Sequence, residues 1–248
     1  MLLVASNGWA YSEADLAKLK ALNDCGGCDL GVANLTGADL DDADLDDADL
    51  HKANLRKANL RGANLTNANF SDAILYKANF RKADLTGANF TGADLGYANL
   101  RLAYLGYTNL SDAILYKANF READLTGSNL TGADLTGANL TDTHLRKANF
   151  HKANLSGADL TGADLRGADL HNADLRKTNL SYTDLRGANL TGADLRGADL
   201  DEANLRGANL TDANLNRVDF TGVDLCYANL TTNNLKYAKL AGAKFCRT

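Results

Sequence analysis

From Leu30 to Phe245 every fifth residue is Leu or Phe, 44 positions in unbroken register. The residue two before each is Ala at 35 of them, and the residue between is Asp or Asn at 38. This region therefore reads A(D/N)LXX throughout. An α-helix turns about 100° per residue, so apolar positions five apart spread around its whole circumference and leave no stripe to bury. Within a unit, however, Ala and Leu are two apart and flank a polar residue, the alternation of a short strand with one face inward. Gly stands second after the Leu or Phe in 16 of the 44 units, and a turn is predicted there. Short strands that change direction after every unit cannot extend as a flat sheet, so they predict a solenoid of stacked coils.

The A(D/N)LXX units, running from Cys28 to Arg247, resemble the pentapeptide-repeat family. The resemblance implies an all-β fold, a right-handed quadrilateral β-helix with four units per coil and with Ala and Leu or Phe pointing inward. Forty-four units then make about eleven coils. Residues 71–90 recur almost unchanged at 111–130, an offset of two such coils. The absence of Pro suits a chain in which nearly every coil gives and takes backbone hydrogen bonds. Leu or Phe alternating with Ala fills a narrow core, predicted to hold no buried polar group and to leave no inward position for a ligand pocket. No cofactor or metal is expected, and no stretch is long enough to cross a membrane.

Residues 1–27 are read as an N-terminal segment with a capping helix, and 28–248 as the solenoid. Ser12 followed by Asp15 has the form of a capping box, and Leu16, Leu19 and Leu22 fall on one helical side up to Asn23. A short α-helix is predicted to cover the first coil. Met1 to Ala5 is apolar, lacks a basic leader and is short for an export signal. The compartment stays open between the cytoplasm and, after removal of a longer signal, a thylakoid lumen or periplasm.

The four cysteines form two pairs. Cys25-Gly-Gly-Cys28 precedes the first repeat, a placement similar to that in cyanobacterial pentapeptide-repeat proteins with an N-terminal helix and a CxxC. A redox-active CxxC opens a helix that lowers the thiol pKa, whereas this one closes a helix and enters a strand. Zinc would need two further ligands that the neighbourhood lacks. Cys226 and Cys246 are twenty apart, hence on one outward column of neighbouring coils at about 4.8 Å, where a disulfide fits and two separate thiols are the alternative. Cys25, Cys28, Cys226 and Cys246 are thus the candidate disulfide residues.

No catalytic constellation emerges. His51, His151 and His171 share one column with no carboxylate evident to orient them. The Asp and Asn row recurs evenly without a cleft and reads as a solvated face of side-chain ladders. The formal net charge is -5. Asp39, Asp41, Asp42, Asp44, Asp46, Asp47 and Asp49 form an acidic collar. Two columns are basic: Arg61, Arg81, Arg101 and Arg121, and Arg146, Arg166, Arg186 and Arg206. Such columns are expected to pair with neighbouring Asp. The acidic total disfavours direct nucleic-acid binding.

The polar rule breaks near mid-rod. Ile74 and Ile114 replace the outward Asp or Asn, Tyr76 and Tyr116 follow them, and Tyr97 lies between. Around the next corners come Leu102, Tyr104 and Tyr107. Outward aliphatic and aromatic side chains on three neighbouring coils predict a protein-binding patch, with drift after coil duplication as the plain alternative. The sequence thus points to a non-enzymatic scaffold or adaptor for a protein partner. The family resemblance raises an alternative, a DNA-mimicking binder of type II topoisomerase, and Cys25 and Cys28 raise another, a thiol oxidoreductase. A weak homodimer is expected through Leu230, Leu235, Leu240 and Phe245, opposed by the charges of Lys239 and Lys244.

Overall fold

A computed structural model describes residues 11–230, 235 and 237–246. Met1 to Ala5, with its bearing on the compartment, lies outside the described residues. Among the described residues a single helix, α1 (Glu13–Leu22), precedes the repeats. Ser12 caps it, its hydroxyl accepting from the Asp15 N–H at 3.1 Å, and Asn23 ends it in the left-handed conformation. The Asp15 carboxylate does not close the capping box. It accepts instead from the Asp29 N–H at 3.0 Å, while the Ser12 N–H donates to the Asp29 carbonyl at 3.0 Å. Two bonds therefore fasten the helix start to the first coil. Leu19 is buried, but Leu22 is 65% exposed, so the predicted apolar side is narrower than its spacing suggested.

Every β-bridge is parallel and joins a residue to the one twenty later, from Asp24–Asp44 to Asp224–Lys244. Twenty residues per coil and five per unit give four faces. The first face carries Leu30, Leu50, Phe70 and Phe90 inward, the second Leu35 and Leu75, the third Leu40 and Phe80, the fourth Leu45 and Leu85. The ladder begins at Asp24, inside the segment read as the cap.

One unit shows how the coil closes. Leu50 N–H donates to the Asn69 carbonyl at 2.8 Å, Lys52 N–H to the Ser71 carbonyl at 2.8 Å, and Ala53 N–H back to the Leu50 carbonyl at 3.0 Å. That last bond spans a β-turn whose third residue, Lys52, has φ 52°, which makes it a type II turn. The same left-handed conformation recurs at the second residue after the Leu or Phe along the rod, in Gly and non-Gly units alike. Leu and Phe are buried on all four faces.

Two features depart from the predicted uniformity. Thr108, Ser128, Thr143, Thr178 and Thr183 replace inward Ala and are buried, so the core does contain polar groups. Each hydroxyl is satisfied by a main-chain carbonyl, as in Thr143 Oγ1 to Leu140 at 2.6 Å and Thr108 Oγ1 to Leu105 at 2.8 Å. Among the described residues the ladder also lacks a bridge between Asp199 and Asp219. There Val218 and Val223 stand at inward Ala positions beside Phe220, all buried, and the added methyl groups demand room between coils.

Candidate interaction surface

The second face carries the break in the polar rule. Ile74 bridges to Asp94 and Asp94 to Ile114, leaving Ile74 37% and Ile114 47% exposed. Beside them Tyr76, Tyr97 and Tyr116 form a continuous edge-to-face column, with ring centroids 5.6 Å and 5.4 Å apart. Tyr97 enters it because it occupies the left-handed turn position, φ 58°, which turns its side chain along the corner. Lys77 lies over both Tyr76 and Tyr97, at 5.3 Å and 5.7 Å, and Lys117 over Tyr97 and Tyr116, at 5.8 Å and 5.1 Å. Arg56 covers the outer face of Tyr76 at 4.8 Å. These cation–π contacts hold the rings upright at a half-exposed site. The hydrogen bond with Lys117 lowers the pKa of Tyr116 and raises that of Lys117, while desolvation raises that of Tyr97.

Leu102, Tyr104 and Tyr107 do not join this patch. Tyr104 belongs to the Asp84–Tyr104–Asp124 ladder of the fourth face, two corners from the second face, so the eight predicted residues divide between opposite sides of the rod. Tyr104 and Tyr107 are 58% and 74% exposed there. The cations of the tyrosine column were not anticipated from sequence. Their signal was Lys directly after Tyr in Tyr76-Lys77 and Tyr116-Lys117.

The cysteines are paired. Cys25 is disulfide-bonded to Cys28 with Cα atoms 5.2 Å apart, and Cys226 to Cys246 at 4.6 Å. Cys25 stands in the Leu register and Cys28 in the Ala register, both buried in the first coil. Cys226, expected to face outward, is also buried, because its partner covers it. The ring of His51 meets Asp49 at 3.1 Å, a carboxylate the spacing argument overlooked. His151 and His171 stack at 5.1 Å, and among the described residues no group of three metal-ligating side chains occurs.

Of the second Arg column, Arg146, Arg166 and Arg186 are neutralised locally, while Arg206 lies over the Tyr227 ring at 4.9 Å. Arg166 forks onto Asp164 at 2.7 and 2.6 Å, Arg186 onto Asp184 at 2.7 and 2.5 Å, and Arg146 reaches Asp164 at 2.6 Å. On the second face Arg176 and Arg196 pair likewise with Asp174 and Asp194. In the last described coil Leu230, Leu235 and Leu240 are half-buried and Phe245 is 53% exposed. Lys239 is tied to Asp219 at 3.0 Å. No helix among the described residues is long and apolar enough to cross a membrane.

The Pentapeptide repeats family matches this chain in overlapping stretches from residue 24 to residue 248. The chain belongs to the pentapeptide-repeat family. Its fold is accordingly the right-handed quadrilateral β-helix. Among solved pentapeptide-repeat proteins it is similar to HetL of the cyanobacterium Nostoc, a protein involved in heterocyst differentiation regulation, at 35% identity over 86% of this chain and 85% of that one, TM-score 0.30. A pentapeptide-repeat protein of the Arabidopsis thaliana thylakoid lumen is 34% identical over 45% of this chain and 82% of that one, TM-score 0.30. QnrB1, a plasmid-mediated fluoroquinolone resistance protein, is 21% identical over 75% and 85%, TM-score 0.29. No curated protein matches the chain.

Proposed function

We propose that this pentapeptide-repeat protein is a non-enzymatic scaffold that binds a protein partner through the second face, with Tyr76, Tyr97 and Tyr116 as anchors and Ile74 and Ile114 beside them. The observation that carries the reading is the edge-to-face column itself. Three ordered tyrosines offer contact area whose side-chain entropy is already spent, the property that favours Tyr at interfaces. Leu102, Tyr104 and Tyr107, on the opposite side, serve as a separate, smaller contact.

The thiol oxidoreductase reading loses support because Cys25 and Cys28 are buried core residues, out of reach of a substrate disulfide. Topoisomerase mimicry draws mainly on the acidic collar, since Asp164, Asp174, Asp184 and Asp194 further along the rod are matched by Arg. The two disulfides support an oxidising compartment, a lumen or periplasm, over the cytoplasm. A weak homodimer over Leu230, Leu235, Leu240 and Phe245 belongs to the same reading; sedimentation that finds wild type and Phe245→Ser identical monomers at all concentrations removes it.

The main test is a pull-down from a cyanobacterial lysate with wild type and Tyr76→Ser/Tyr116→Ser. A protein held by the wild type and lost by the variant supports the column, and equal capture by both removes it. Inhibition of gyrase by the pure protein at low salt would favour the mimic instead.

A further inference from the structure

Arginine is placed on this rod in two main ways. On the second and fourth faces four arginines follow Asp in the same unit, Asp164-Leu165-Arg166, Asp174-Leu175-Arg176, Asp184-Leu185-Arg186 and Asp194-Leu195-Arg196, and each guanidinium bonds the carboxylate two residues back; of the others there, Arg146 reaches Asp164, and Arg56 and Arg206 lie over Tyr76 and Tyr227. On the third face it follows Asn: Asn59-Leu60-Arg61, Asn79-Phe80-Arg81, Asn99-Leu100-Arg101 and Asn119-Phe120-Arg121. The neutral amide supplies no counter-charge. It is occupied elsewhere, because Asn79 Nδ2 donates to Asn59 Oδ1 at 2.9 Å and Asn99 Nδ2 to Asn79 Oδ1 at 3.1 Å.

The four third-face arginines therefore stack one per coil, with the carboxylates gathered toward the two ends of the column. Arg61 reaches Asp41 at 3.5 Å. Arg101 and Arg121 share Glu122 at 3.0 and 3.2 Å, and Arg121 lies 4.0 Å from Asp142. Among the described residues Arg81 has no ion pair, and Lys82 adjoins it at the corner, exposed. The buried Nε of Arg101 has no hydrogen-bond partner. Like charges one coil apart, about 4.8 Å, repel, and a donor left without an acceptor is costly. An anion laid along the column relieves the repulsion.

We infer that the third-face column Arg61–Arg81–Arg101–Arg121 is a docking strip for an acidic segment of a partner protein. Its length selects the occupant. Two coil spacings, from Arg61 to Arg101, make about 10 Å, closed by Asp41 and Asp42 at one end and by Glu122 and Asp142 at the other. A short run of Glu or Asp fits between those acids, whereas a nucleic-acid strand running along the rod would bring its phosphates against them. Base stacking has no platform either, since Tyr97, at the adjoining corner, meets Tyr76 and Tyr116 edge-to-face and is covered by Lys77 and Lys117. The inference rests on the reading of the protein as a protein-binding scaffold but not on the tyrosine column.

The test is fluorescence anisotropy of labelled tetraglutamate, whose extended length matches the strip, with the full-length protein at low and high salt. Binding is expected at low salt and its loss at high salt. Arg81→Gln/Arg101→Gln should weaken it about tenfold, as removal of two exposed cations implies, while Arg166→Gln/Arg186→Gln and Tyr76→Ser/Tyr116→Ser leave it unchanged. Circular dichroism and melting confirm that each variant is folded. Absent binding, or equal weakening by both Arg pairs, overturns the strip. Tighter binding of a thymidine oligonucleotide of equal charge, lost in Arg81→Gln/Arg101→Gln, reassigns it to nucleic acid. Salt-sensitive self-association lost in the same variant reassigns it to the acidic collar of a second copy. Loss of tetraglutamate binding only in the tyrosine variant would favour the second face instead.

Discussion

Phe70 and Phe90 lie one coil apart on the first face with rings parallel, centroids 4.8 Å and planes 2° apart. Phe80, from the third face, meets both edge-on at 6.0 and 6.1 Å. The ring separation matches the spacing of stacked strands, so the side chains repeat the register of the backbone. Phe90→Ala should lower stability by about 3–5 kcal/mol, because Phe70 and Leu110 on the neighbouring coils are held by their own register and cannot close the cavity. Leu165→Asp should cost several kcal/mol by burying an unpaired charge. Urea melts followed by circular dichroism check both, and an unchanged midpoint for either contradicts the inward assignment.

Val32 sits at φ 54°, a conformation that is strained for a β-branched side chain. Val32→Gly should raise the unfolding midpoint, worth about 1 kcal/mol after the entropy cost of Gly is deducted. Gly162 occupies the equivalent position at φ 70°, and a Cβ there would stand 2.7 Å from Asp142 Oδ1. Gly162→Val should therefore move the midpoint the other way. Opposite shifts in a paired melt are the expected outcome.

The disulfides differ in access. Cys25 and Cys28 are both buried, while Cys246 is exposed beside its partner. Brief reduction of the native protein followed by alkylation should label Cys226 and Cys246 well before Cys25 and Cys28. Peptide mapping by mass spectrometry reads the order, and simultaneous labelling would show that the first coil opens readily.

Stability should hold from neutral pH down to about 4 and fall below it. The Arg176 guanidinium holds Asp174 below the usual carboxylate range despite its partial burial. The hydrogen bond from Thr221, with help from Lys239, brings Asp219 down to about 2. A carboxylate whose folded pKa is depressed contributes stability that is present above its unfolded pKa and lost as pH falls through the folded one. Arg176→Gln should flatten the acid limb of a stability profile. In Thr221→Ala the NMR titration midpoint of Asp219 should rise, and an unmoved midpoint would contradict the hydrogen bond's role.

Much of this protein was legible in one dimension because its contacts are nearly one-dimensional. A residue's neighbours lie five, fifteen or twenty positions away, so period and polarity were enough to specify the inward Leu, Phe and Ala, the outward Asp and Asn, the turns and the Ser12 cap. Tertiary structure decided whatever depends on how four faces meet around a core. It separated Ile74 and Ile114 from Tyr104, since two corners of a square place neighbours in sequence on opposite sides. It set the Tyr97 ring edge-to-face against both Tyr76 and Tyr116, because the left-handed turn swings a corner side chain along the rod. It left Leu22 in solvent, since the first coil offers α1 a surface only wide enough for Leu19 and part of Leu16. It also separated arginines bonded within their own unit from the third-face column. That difference was already written as Asp or Asn two residues earlier, and only the stacking of coils gave it physical meaning.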